Sequence, residues 1–109
     1  MSNELNKDQA AKLIKKQLRA GWSVEDYGHG TLTIQNMEFG YVQGMKWVHF
    51  KETRGKVKAH RKGARWMKAT AANILKAAQE VIDQCNALSE ERYGTIDEEY
   101  ARLTDLSRA

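Results

Sequence analysis

The chain has 109 residues, 41% of them apolar and 29% charged, with a net charge of +4, and this is enough for one domain with a modest packed core. Its single cysteine excludes an internal disulfide and a cysteine-based zinc site, which suits a reducing cytoplasm. No apolar run approaches the roughly 18 to 20 residues that span a bilayer, and the polar start MSNELNKDQ lacks the apolar centre of a signal peptide, so a cytoplasmic protein with no membrane contact is expected.

The first predicted element is a helix from about residue 7 to residue 20. Asn6 can cap it, Gln9 can return the bond, and Leu5 can pack onto Ala10. Ala10, Leu13, Ile14 and Leu18 recur at the spacing of one buried helical face. Gly21 then suits a left-handed stop.

Alternation replaces this period next. TLTIQ (31–35) sets Leu32 and Ile34 against threonines, and MKWVHFKE (45–52) sets Val48 and Phe50 against Trp47, His49 and Lys51. KVKAH (56–60) sets Val57 and Ala59 against Lys56, Lys58 and His60. The compact TRG connection (53–55) joins the last two strands as a hairpin, and MEFGYV (37–42) is read as a short fourth strand or a bulged extension.

A long helix follows, beginning between Ala64 and Ala71 and ending near Ser89. Met67, Ala71, Ile74, Leu75, Ala78, Val81, Ile82, Cys85 and Leu88 form its apolar stripe. YGT (93–95) breaks it, and Thr95 with Glu98 forms a capping box that opens a final short helix. The expected class is α+β: a three- or four-stranded antiparallel sheet with helices on one face, in the order αβββα plus a C-terminal helix. Residues 1–92 form the basic core domain and 93–109 an acidic helical extension.

The charge is unevenly placed. Residues 46–68 carry nine basic side chains against Glu52 alone, whereas residues 80–109 carry eight acidic and three basic ones. With Leu32, Ile34, Val48, Phe50, Val57 and Ala59 turned toward the helices, the other sheet face keeps Thr31, Thr33, Trp47, His49, Lys51, Lys56, Lys58 and His60. Clustered lysine and arginine bind phosphate backbones, and aromatic rings on a sheet stack on bases. The expected function is therefore non-catalytic binding of DNA or RNA. Trp47 would stack, and Lys51, Arg54, Lys56, Lys58, His60, Arg61, Lys62, Arg65 and Lys68 would meet phosphates. Trp22 is expected in the core, and Trp66 is either a lid on the second helix or an exposed contact.

Two readings from other classes use the same residues. Three histidines, His29, His49 and His60, are the proton-transfer groups near neutral pH, so a metal-independent ribonuclease would draw its acid and base from them. A phage-type modulator would instead hold an acidic partner protein against the basic face. The acidic tail offers a homodimer contact with the basic face of a second copy. The histidines lack metal-ligand spacing, and the glycines form neither a Walker A nor a dinucleotide fingerprint, so no metal and no cofactor is expected. Cys85 lies in the apolar helix stripe as a small buried hydrophobe.

Taken as a series, the elements from about residue 7 to 88 resemble the double-stranded-RNA-binding fold. In that resemblance HRKGARWMKATAANILKAA (60–78) is the basic segment leading into the second helix, whose start would face phosphates. KLIKKQLRAGWSVEDYGHG (12–30) resembles the opening helix, Gly-Trp and glycine-flanked histidine of HicA-type toxin ribonucleases. That resemblance implies His29 as the catalytic histidine.

Overall fold

Asn6 opens the first helix through a reciprocal pair of bonds: its Oδ1 accepts from the Gln9 amide at 2.8 Å while Gln9 Oε1 accepts from the Asn6 amide at 2.9 Å. In this computed structural model, which describes residues 4–28, 30–40, 45–51 and 55–95, that helix is α1, Lys7–Lys16. It stops four residues short of the expected end because another element terminates it. Asn86 accepts from the Arg19 amide at 3.0 Å and donates to the Gln17 carbonyl at 2.9 Å, closing the last turn from outside. Gly21 does take a positive φ of 96°, but in the connection beyond the helix.

Five strands follow: β1 Ser23–Gly28, β2 Thr31–Gln35, β3 Met45–Lys51, β4 Lys56–Ala59 and β5 Met67–Lys68. They lie in chain order in one antiparallel sheet. The sheet is wider than the three or four strands expected, at both edges. In β1, SVEDYG, only Val24 is aliphatic, so there is little alternation to read. It is a solvated edge strand whose register slips between Asp26 and Gly28. Asp26 accepts from the Gly28 amide at 2.9 Å and pairs with Lys7 at 3.2 Å, and these two contacts, in that order, lower its pKa.

At the other edge, Met67 belongs to β5 opposite Val57 and not to the long helix. That helix, α2, runs Ala71–Tyr93 with Thr70 as its cap, and extends four residues past Ser89. Its extra turn brings the Tyr93 ring edge-on to Phe39. Residues 37–39 form a 3-10 turn in place of the start of an extra strand, because Asn36 Oδ1 takes the Glu38 amide at 3.0 Å. Residues 41–42, the rest of that expected strand, lie outside the described residues. So do 96–109, with the expected C-terminal helix.

Both helices cover one face of the sheet. Leu32, Ile34, Val48, Phe50 and Val57 are buried there with Ala10 and Ile14 of α1 and Ile74, Ala78, Ile82 and Cys85 of α2. Each large side chain so buried contributes about 1.5 to 3 kcal/mol. Trp22 stacks on Phe39 with ring centres 5.4 Å apart and donates its indole N–H to the buried Ser89 hydroxyl at 2.8 Å. Among the described residues no helix is long and apolar enough to cross a membrane.

Candidate nucleic-acid interface

The face turned away from the helices is organised by register. Strands in a sheet lie about 4.8 Å apart, and residues directly opposite share a face. Lys51 lies opposite Lys56, and Lys56 opposite Lys68, so β3, β4 and β5 place three lysines in one row. The next row holds Thr31, His49 and Lys58, and the one after it Thr33 and Trp47. The ion pair between Lys7 and Asp26 involves the opposite edge strand.

Aromatic rings are interleaved with the cations. Trp66, the residue before β5, has the Lys51 and Lys58 ammonium nitrogens 4.7 and 4.8 Å from its ring centre, and is still 37% exposed. Its ring centre is 6.4 Å from that of His49, His49 is 4.8 Å from His60, and His60 is 5.5 Å from Trp47. The two histidines also meet through their nitrogens, His60 Nδ1 standing 2.8 Å from His49 Nε2. Partial burial holds the His49 pKa below its ordinary value, and His60 and Lys58 push it the same way.

β4 ends at Ala59 opposite Val48, so the first residues of β3 have no β4 partner. A cleft of about 280 Å³ opens there, with Trp47 and His60 on one side and Ala77, Glu80 and Val81 of α2 on the other.

Most of the residues expected to form the surface are brought together. Trp47, His49, Lys51, Lys56, Lys58, His60 and Lys68 share the outer face, and Arg61, Lys62 and Arg65 are exposed on the connection leading to β5. Thr33 is the exception: it is buried between Glu25 and Trp47 in register, and its hydroxyl has no hydrogen-bond partner among the described residues. Arg54 and His29 lie outside the described residues. Sequence reasoning did not foresee the histidine contact or the seat of Trp66 among the lysines. The signal for Trp66 was present in Trp66-Met67-Lys68-Ala69, where an outward residue alternates with an inward one. Among the described residues no cluster of three or more histidine, cysteine or acidic side chains is placed to hold a metal.

No family model, characterised protein or solved structure matches the chain.

Proposed function

We propose that this protein binds nucleic acid, without cleaving it, through the outer face of its sheet. The observation that carries the reading is the row Lys51, Lys56 and Lys68. Like charges directly opposite on neighbouring strands destabilise a sheet by a few tenths of a kcal/mol or more each. A chain of phosphates laid along the row relieves that repulsion and releases its own condensed counterions. Lys58, Arg61, Lys62 and Arg65 extend the cationic surface, and Arg54 belongs with them on sequence grounds. A cytoplasmic setting goes with this reading, since the single cysteine cannot form an internal disulfide.

The test is a salt titration of binding. With about six phosphate contacts, log K against log salt falls with a slope near −5 on duplex DNA and near −4 on a single strand. Lys56→Glu combined with Lys68→Glu should weaken binding at least about tenfold and flatten that slope. A flat response in the unaltered protein would sink the proposal. Capture of a protein partner that resists nuclease treatment would favour the modulator reading instead.

The contact between His49 and His60 supports a second reading, the histidine-dependent ribonuclease, because it sets two proton-transfer groups beside a phosphate-binding surface. Each histidine now occupies the other, so a substrate phosphate would have to part them. RNA cleavage that disappears in His49→Ala and His60→Ala, with the fold intact, would establish it; no cleavage by the unaltered protein ends it.

A further inference from the structure

From the interleaving of rings and cations on this face we infer that the ligand is a single strand whose unpaired bases stack on Trp66 and Trp47, in preference to a duplex. The inference rests on the nucleic-acid reading above and narrows its substrate class. A duplex hides the faces of its bases everywhere except at its ends. A surface for a duplex needs cations at phosphate spacing and a helix or loop for the groove, and has no use for exposed rings.

Here each of the three strands on the basic side brings both kinds of group. β3 carries Trp47, His49 and Lys51 at alternate positions; β4 carries Lys56 and Lys58, with His60 just beyond; β5 carries Lys68, with Trp66 just before it. Rings and ammonium groups are thus neighbours on this face: Trp66 lies against Lys51 and Lys58, and His49 lies opposite Lys58 in the row beside the three lysines. A single strand asks for both kinds of contact, since each of its repeats offers a flat base and an anionic phosphate.

Trp66 is the best platform. It is 37% exposed with Lys51 and Lys58 over its ring, and a base that takes their place on the indole leaves both ammonium groups beside its own phosphates.

The experiment compares fluorescein-labelled oligothymidine and oligouridine of about 12 nucleotides with a blunt DNA duplex and a blunt RNA duplex of equal length, by anisotropy. Both single strands should bind at least about tenfold more tightly than either duplex and should quench tryptophan emission. Trp66→Ala should lower single-strand affinity about 5- to 150-fold, the range set by the loss of one base stack. The salt slope should stay unchanged in that variant, because no phosphate contact is lost. Trp66→Phe should keep most of the affinity while losing the Trp66 share of the quenching and leaving that of Trp47, and it retains a ring in the same place if alanine perturbs the fold. Lys51→Gln should do the reverse of Trp66→Ala, lowering the slope by close to one contact.

Duplexes bound as tightly as single strands, or Trp66→Ala binding as the unaltered protein does, would overturn the inference and leave nucleic-acid binding standing. Binding to none of the four probes would overturn both.

Discussion

His60 Nδ1 and His49 Nε2 are 2.8 Å apart, a separation that holds one N–H between the two rings. Two protonated rings would set two N–H groups head to head beside Lys58, which lies opposite His49 in register. His49 therefore takes up a proton reluctantly: partial burial lowers its pKa first, and the charges of His60 and Lys58 lower it further.

That direction fixes the sign of a pH effect. A histidine whose pKa lies below its unfolded value of 6.5 binds fewer protons folded than unfolded. Its contribution to stability is intact above pH 6.5 and is lost as the pH falls through 6.5 toward the folded value. Urea midpoints at about pH 7.5 and pH 5.5 should show the loss, and His49→Gln, whose carbonyl can still accept from His60, should reduce it. Binding to a polyanion should move oppositely, tightening on acidification, since the added protons enlarge the positive face.

The Trp22 indole and the Ser89 hydroxyl form a buried bond between the segment after α1 and the end of α2. Ser89→Ala removes the acceptor and leaves the indole N–H buried without it, at about 1 to 3 kcal/mol. Trp22→Phe also gives up part of the stack on Phe39 and should cost at least as much. Chemical denaturation of the two single variants and the double variant checks this, and the double should be less than additive.

Gly30 has φ of 72°, and its carbonyl accepts from the Phe50 amide at 2.7 Å. A Cβ there would stand 3.0 Å from the Phe50 carbonyl oxygen, which belongs to backbone that cannot swing aside. Gly30→Ala should therefore destabilise by about 1 to 3 kcal/mol, the ordinary cost of a strained backbone position. Gly28→Ala, with an open surrounding at φ of 87°, isolates the dihedral part and should cost less.

Cys85 is fully buried in α2, and burial pushes its thiol up to about 12, although Lys46 pulls it down. At pH 8 the thiolate fraction is then on the order of one in ten thousand. Reaction with an aromatic disulfide reagent should be negligible in the folded protein. It should become fast at the denaturant concentration where the fold opens, which makes the thiol a reporter of unfolding.

Most of the inner face was legible because strand alternation and helix period both mark it: Leu32, Ile34, Val48, Phe50 and Val57 lie where those patterns put them. The lysines of the outer face followed by parity. What the patterns missed came from contacts distant in sequence. The end of α1 is set by Asn86, some seventy residues on, and no local residue announces it. β1 is an edge strand without alternation, and the two residues of β5 are too few to show a period. The histidine contact depends on the β3–β4 register and on where β4 stops, which only the paired strands define.

Asn86 also has a consequence for the order in which the molecule is made. α1 leaves the ribosome ahead of the sheet and of α2, yet its last turn is closed by a side chain in the second half of α2. A ten-residue helix is marginal alone. It must wait, unclosed, until α2 has emerged as well, so the two helices become native together.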